Sequence, residues 1–463
     1  MEEQQLLLAF YGDDFTGSTD AMEGLASSGY RTVLFLDAPT EEMLQTFKGI
    51  RCIGVAGTSR AKTPSEMEKE LRPVFEKLAQ LPVPVVHYKV CSTFDSSPEV
   101  GSIGKAVEVA RDYFSKDAVI PLLVGAPPLG RYTLFGQHFA RMHDQVYRLD
   151  RHPTMSRHPI TPMGEADLRV HLGKQTTEKI ELLNIIELDG QPETVRERFA
   201  QKLSEKPGIL LFDVLDEPRL QMAGQLIWEE AQGESRFVVG SSGVEYALTA
   251  YWKSNDIQPV EYQVSTEPVK RADRIFVVSG SASPITKLQI ETALQQGFHG
   301  IRIPVEDIVD SKTVPQHLLN EAIQQLQQGK SVVMYTAMGP DDQSIAETRE
   351  RFAAMGIRDT ESGEYIGRKL GKWTREIMKA VKLRRVVIAG GDTSGFVTRE
   401  MNIYGLEMLM SVSPGAPLCK AYSFEDELNG VELALKGGQL GSPDYFVKVQ
   451  QAEAAWDLNT PIG

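Results

Sequence analysis

The chain has 463 residues, 41% of them hydrophobic, and carries 49 basic against 63 acidic side chains for a formal net charge of −14. That length exceeds what one core supports, so two domains are expected, and the composition is that of an ordinary soluble globular protein. The acidic balance, with no basic stripe and no apolar run of membrane-spanning length, argues against both a nucleic-acid binder and a membrane protein.

In chain order, the first half alternates short apolar runs with helix-length stretches. Strands are predicted at 6–10, 32–36, 52–56, 83–90, 119–124, 180–186, 209–214 and 237–239, with helices between them, among them 64–79 and 101–114. This alternation predicts an α/β domain with a mostly parallel sheet over residues 1–253. Segment 125–160, containing Pro127, Pro128, Pro153 and Pro159, is expected to be a long irregular functional loop. Residues 254–272 lack periodicity and read as a linker. A second α/β domain is expected over 273–463, with strands at 274–278, 300–303, 331–335, 385–389 and 431–435 and helices at 284–296, 315–328 and 363–381.

Three Gly-rich or small-residue turns each follow a predicted strand and lead into a predicted helix. Such a turn presents backbone N–H groups at the positive end of a helix dipole and suits a phosphate or carboxylate. The first, Gly12-Asp13-Asp14-Phe15-Thr16-Gly17-Ser18-Thr19-Asp20, is acidic. Asp13 or Asp14 there is placed to accept a proton from a hydroxyl, or Asp14 simply caps a turn and Asp20 is a solvated carboxylate. The second turn, Ser279-Gly280-Ser281-Ala282-Ser283, reads as a phosphate loop with Ser283 as N-cap and Pro284 opening the helix. The third, Gly390-Gly391-Asp392-Thr393-Ser394-Gly395, has paired glycines for close approach of an anion, and Asp392 for a metal-bound water, a ribose or the reacting hydroxyl. Lys436-Gly437-Gly438, with Gly441, repeats the theme. No P-loop or dinucleotide fingerprint occurs, because Gly104-Lys105 and Gly371-Lys372 are followed by Ala106 and Trp373.

Arg60, Lys89, Arg131 and Arg157 are candidate ligands for an acid. Five of the eight histidines, His138, His143, His152, His158 and His171, fall close together without metal-ligand spacing, so no metal site is expected. Cys52, Cys91 and Cys419 are odd in number and far apart. They predict neither a disulfide framework nor a zinc site, and with no basic leader they place the chain in the reducing cytoplasm. Cys91 reads as an inert buried thiol or a nucleophile beside Ser92 and His87.

Together these motifs resemble the four-carbon acid sugar kinase family. The resemblance rests on Asp13–Gly17, Thr58–Arg60, Lys89–Thr93, His158–Met163, Gly390–Gly395 and Lys436–Gly441, six motifs in order along nearly the whole chain. It implies two α/β domains, the first for a sugar acid and the second for ATP, with Mg2+ and phosphoryl transfer in the interdomain cleft. Asp14, Asp13 and Asp392 would be the catalytic carboxylates. Thr16, Gly17, Arg60, Lys89, Ser92, Arg157 and His158 would bind the acid. Ser279, Ser281, Ser283, Gly390, Gly391, Asp392, Thr393, Ser394, Gly437 and Gly438 would line the nucleotide. Threonate, erythronate, 3-oxo-tetronate or 3-oxo-isoapionate is the implied kind of substrate, and a homodimer is left open.

One departure stands out. Cys91 occupies a position where members commonly carry Asp, and Asp95 one where they carry Arg. The second change alters the local charge by about two units, which is large for an acid-binding pocket. It points to a 3-oxo or branched acid, or to compensation by Arg131. Two other readings fit the same residues: a non-catalytic sensor of sugar acid or nucleotide, and a sugar-phosphate lyase or isomerase that needs no ATP.

Overall fold

A computed structural model of the chain describes residues 5–158, 160–257, 268–310 and 314–454. Pro159 of the expected loop and residues 258–267 of the expected linker lie outside the described residues. The chain divides into two compact α/β units. One holds the described residues up to 32 and from 37 to 257; the other holds 33–36 and the described residues from 268 on.

The first half contributes β1 (Leu8–Gly12), β2 (Thr32–Phe35), β3 (Cys52–Ala56), β4 (Val85–Lys89), β5 (Ile120–Leu123), β6 (Arg131–Leu134), β7 (Gln137–Met142), β8 (Gln145–Arg148), β9 (Ile180–Leu183), β10 (Ile209–Phe212) and β11 (Arg236–Gly240). In the first unit a parallel sheet runs in the order β3-β1-β4-β11-β5-β10-β9. All five residues of β1, β3 and β4 are buried, as befits parallel strands covered by helices on both faces. The Pro64–Ala79 helix opens with Pro64 after a Thr63/Glu66 capping box and turns Met67, Leu71, Phe75 and Leu78 inward. Phe75 meets Tyr11 and Tyr88 edge-on, with centroids 6.2 and 6.1 Å apart.

Segment 125–160 is not one irregular loop. It contains the antiparallel sheet β6-β7-β8, whose two hairpins have two-residue loops. Phe135 and Gly136 in the first loop have φ of 51° and 80°, and His143 in the second has φ of 54°. Hairpin turns favour positive φ, but neither loop carries the Asn-Gly or Gly-led pair that normally reveals one: the pairs are Phe135-Gly136 and His143-Asp144. The buried Asp213 carboxylate holds the first hairpin by accepting from the Phe135 and Gly136 amides at 2.5 and 2.9 Å.

The second unit contains β12 (Phe276–Ser279), β13 (His299–Arg302), β14 (Val332–Tyr335), β15 (Arg385–Ala389), β16 (Ile403–Met410), β17 (Leu418–Ser423) and β18 (Glu432–Lys436). Its sheet begins as the parallel set β13-β14-β12-β15-β18 and continues antiparallel through β17, β16 and β2. The strands β16 and β17 were not anticipated, and neither was the pairing of Val33, Leu34 and Phe35 with β16. The Asp359–Val381 helix begins four residues before the expected start at 363, because Glu361 accepts from the Arg358 amide and supplies a cap. Along it Gly363, Gly367 and Gly371 pack against Asp392, Phe396 and Glu400 of the Gly391–Glu400 helix, where a Cβ would come within 3.2, 2.7 and 2.6 Å. This close packing sets the position of the third turn.

Candidate active site

In the first unit, the C-terminal ends of β1, β3 and β4 hold the acidic turn. The Asp13 amide donates to the Lys89 carbonyl (2.9 Å), the Arg60 amide to the Asp13 carbonyl (3.0 Å), and the Gly57 amide to the Gly12 carbonyl (2.9 Å). Asp14 is the N-cap of the Phe15–Ser27 helix and accepts from the Gly17 amide at 2.9 Å. Glu70 of the Pro64–Ala79 helix accepts from the Thr58 amide at 2.9 Å and so anchors the turn that carries Arg60.

The side chains then converge. Arg60 Nε and Nη2 donate to Asp13 Oδ2 (3.0 Å) and Oδ1 (2.6 Å), and the same Nη2 lies 2.7 Å from Asp14 Oδ1. Thr16 donates its hydroxyl to Asp14 Oδ2 at 2.7 Å. Lys89 is buried at the end of β4 with Nζ 3.9 Å from Asp20 Oδ2, and it makes no hydrogen bond among the described residues. A Cβ on Gly17 would fall 2.3 Å from Asp14 Oδ1 and 2.5 Å from Lys89 Nζ, so a side chain there would displace the charged ends of both.

The two adjacent aspartates differ in charge environment. Burial pushes the Asp13 carboxyl up against the pull of Arg60. Burial acts on Asp14 too, but Arg60, Lys89, the Thr16 hydroxyl and the Gly17 amide outweigh it and hold that carboxyl below its ordinary range. Asp14 keeps 25% of its side chain exposed, whereas Asp13 keeps 4%. Asp20 also faces this cluster and is pushed up by burial against the nearby Lys89. It stands one helical turn after Thr16, an i, i+4 relation that places both on one helix face and could have flagged it.

Beside the cluster, Thr93 Oγ1 donates to Asp95 (2.7 Å) and lies 3.0 Å from Cys91 Sγ. Burial and Asp95 push the Cys91 thiol up to about 11, so it is a neutral thiol and not an activated nucleophile. Arg131 lies in the field of Cys91, Asp95 and Asp20, and its Nε is buried without a hydrogen-bond partner. Ser92 accepts through its carbonyl from His138 Nε2 at 2.9 Å, and burial pushes His138 down to about 4, so it is neutral. Arg157 is exposed, and His158 Nδ1 accepts from the Thr161 amide at 3.1 Å; among the described residues neither joins the Asp13–Arg60–Lys89 cluster.

In the second unit three neighbouring strands, β12, β15 and β18, end together and place three turns side by side. The Gly280 amide donates to the Ala389 carbonyl (3.2 Å) and the Gly390 amide to the Lys436 carbonyl (2.9 Å). Gly390 has φ of 127°, which L side chains rarely adopt. Ser283 caps the Pro284–Gln295 helix, accepting from the Thr286 amide at 3.1 Å, and its hydroxyl bonds the Gly438 carbonyl. Ser279 and Ser394 are fully buried with their hydroxyls on local backbone: Ser279 Oγ accepts from the Ser281 amide (3.3 Å) and Ser394 Oγ donates to the Gly390 carbonyl (2.7 Å). They shape the turns from behind. Gly391, Gly437 and Gly438 are half-buried, Asp392 is exposed in the first turn of its helix, and Thr393 is buried, its Oγ1 2.4 Å from where a Gly280 Cβ would stand. Lys436 is missing from the sequence-based set, yet it is wholly buried beneath these turns.

Polar turns at the C-terminal ends of parallel strands, one set acidic and cationic and the other small and Gly-rich, define an α/β enzyme that binds a small polar ligand on each unit. Comparison with known proteins identifies these units. Residues 8–248 match the family model described as a sugar-binding N-terminal domain, and residues 276–446 the one described as a nucleotide-binding C-terminal domain. The chain belongs to the four-carbon acid sugar kinase family and is a sugar-acid kinase. It is 44% identical to a 3-oxo-isoapionate kinase of Paraburkholderia graminis, over 97% of this chain and 95% of that protein. It is 28% identical to a 3-oxo-tetronate kinase of Pseudomonas savastanoi, over 96% of each chain. The crystal structure of a Haemophilus influenzae protein shares the fold at a TM-score of 0.70 and 22% identity, covering 96% of this chain and 99% of that one.

Proposed function

We propose that this kinase transfers the γ-phosphoryl group of ATP to a terminal hydroxyl of a branched 3-oxo sugar acid of the 3-oxo-isoapionate type, in preference to a plain tetronate. The observation that carries the chemistry is the Asp14 carboxylate, ionised, partly open, and set between Arg60 and Lys89. Asp14 takes the hydroxyl proton as the substrate oxygen bonds to the γ-phosphorus, and the bridging oxygen leaves with ADP. Asp13, nearly closed off, orients Arg60 instead of reacting. Lys89, with its hydrogen-bonding capacity unspent, and Arg131, with its unpaired Nε, are the cations best placed for the substrate's carboxylate. Asp95, half-buried and accepting from Thr93, would offer a carboxylate to an extra hydroxyl of the acceptor.

For the nucleotide, the turns at 279–283, 390–394 and 436–438 supply the N-termini of two helices to the phosphates. Among the described residues no group of three or more His, Cys, Asp or Glu gathers as a metal site. Mg2+ carried mainly by phosphate oxygens and water, with Asp392 in the third turn as a carboxylate that could reach a metal-bound water, fits that donor set. When bound, it neutralises charge on the phosphates.

The acceptor preference is supported by the 44% identity to the 3-oxo-isoapionate kinase, against 28% and 26% to 3-oxo-tetronate kinases. ADP release from Mg-ATP should be measured against 3-oxo-isoapionate, 3-oxo-tetronate, threonate and erythronate. The largest kcat/KM is expected with the branched acid, and a larger value with any unbranched acid overturns that preference.

A further inference from the structure

The residue that the phosphate turns conceal is Lys436, the last of β18. It is 0% exposed, and its Nζ donates to Thr286 Oγ1 at 2.9 Å and approaches the Gly438 carbonyl at 3.4 Å. Among the described residues it has no carboxylate partner. A buried ammonium without a counter-charge is costly, and structures tolerate one where a bound anion completes it.

From Lys436 a line of donors leads towards the turns. Thr286 Oγ1, having accepted from Lys436, has two acceptors for its one proton at 3.1 Å, Ser281 Oγ and the Gly438 carbonyl; that carbonyl already takes the Ser283 hydroxyl and Lys436, which favours donation to Ser281. Ser281 Oγ also accepts from the Ser283 amide at 3.3 Å. That leaves the Ser281 hydroxyl proton without an acceptor among the described residues, in a side chain at the rim of the turn cluster. A Cβ on Gly438 would stand 3.0 Å from this same Ser281 Oγ. The line therefore ends where the three turns meet.

We propose that Lys436 is a proton-coupled positioning residue for the nucleotide phosphates: it takes up a proton when they bind and, through Thr286, aims the Ser281 hydroxyl at a phosphate oxygen. This rests on the reading of the second unit as the nucleotide site.

The surrounding charges do not hold the lysine protonated beforehand. On the neighbouring strands Arg385 and Glu432 bind each other at 2.6 Å, and Lys420 lies 5.1 Å from the centre of the Tyr422 ring. On the helices Lys287 turns to Glu291 at 3.9 Å and Lys448 to Asp444 at 3.1 Å, while Asp392 is exposed. Burial alone pushes Lys436 down to about 7. Bringing phosphate charge nearby reverses that shift, so above pH 7 binding draws a proton from solvent.

The test is calorimetric titration of the full chain with Mg-AMP-PNP in buffers of different ionisation enthalpy, from pH 6 to pH 9. Proton uptake is expected to be near zero at pH 6 and to approach one proton per site at pH 8. Lys436→Met should abolish that uptake and weaken binding at least tenfold at pH 6. Lys436→Arg, charged throughout, should restore binding without uptake. Binding by the unaltered chain with no uptake at pH 8 overturns the inference whether or not the variants fold, and leaves the kinase reading intact. Persistence of uptake in Lys436→Met also overturns it. Absence of any nucleotide binding by the unaltered chain overturns the nucleotide-site reading as well.

Discussion

Arg60 grips Asp13 through two parallel hydrogen bonds, Nε to Oδ2 at 3.0 Å and Nη2 to Oδ1 at 2.6 Å, with the carboxylate 4% exposed. This geometry leaves the guanidinium edge turned to Asp14. Neighbouring aspartates thereby take different tasks, one fixing the cation and the other facing the ligand.

Removing the buried member should be felt in stability. Asp13→Ala leaves Arg60 with only Asp14 as partner, and a loss of about 3 kcal/mol is expected, at the low end for a broken buried pair because Arg60 is 23% exposed. Urea unfolding of the variant beside the parent measures this. A change below about 0.5 kcal/mol would mean that the pair contributes little.

Asp14→Asn should act on turnover instead. Asn is a good N-cap, so the Phe15–Ser27 helix should stay intact and the melting temperature should change little. Loss of the proton acceptor should lower kcat by about 100- to 10,000-fold. Because Arg60 and Lys89 hold Asp14 below the ordinary carboxylate range, parental kcat should show no acid limb from this group until the pH falls below that range. If Asp20→Asn lowers kcat more than Asp14→Asn does, the acceptor is Asp20.

Gly17→Ala sets helix propensity against the site. In an ordinary helix the change would stabilise by about 1 kcal/mol. Here the new methyl would meet Asp14 Oδ1 and Lys89 Nζ at 2.3 and 2.5 Å. The expected outcome is a KM for the acid raised at least tenfold with the KM for ATP unchanged. Equal effects on both would show that position 17 does not act through the acid site.

Lys436 should also make stability depend on pH. Its folded value of about 7 lies below the ordinary lysine value of about 10.4, so between those limits the unfolded chain binds more protons. Stability of the nucleotide-free protein should therefore rise with pH across that window. Lys436→Met should be more stable than the parent at pH 7, by at most about 4 kcal/mol, and the gap should close near pH 10. Denaturant unfolding of both proteins at the two pH values checks this, and a constant gap would contradict it.

The parallel strands and the turns after them were legible because their information is local. An apolar run such as Leu8–Gly12 followed by Asp13 and Asp14, or Arg385–Ala389 followed by Gly390, carries its strand, its turn and its polar end within a few residues. Arg60 and Lys89 were legible for the same reason, each standing at or just past the end of a strand. The two-unit α/β organisation follows from the period of those runs.

What lies between distant residues was decided only by the tertiary structure. Asp13 and Arg60 are 47 residues apart, and Lys436 and Thr286 are 150 apart. No local pattern distinguishes a lysine that will be sealed under a turn from one that will be solvated. The β6-β7-β8 hairpins stayed hidden because Phe135 adopts positive φ under the hold of Asp213, a partner 78 residues away. Likewise Val33–Phe35 pairs with β16, about 370 residues further along the chain and in the same unit, a pairing no local alternation can announce. Strand and helix period are dictated by neighbours along the chain; partner, burial and charge state depend on which segments the fold brings together.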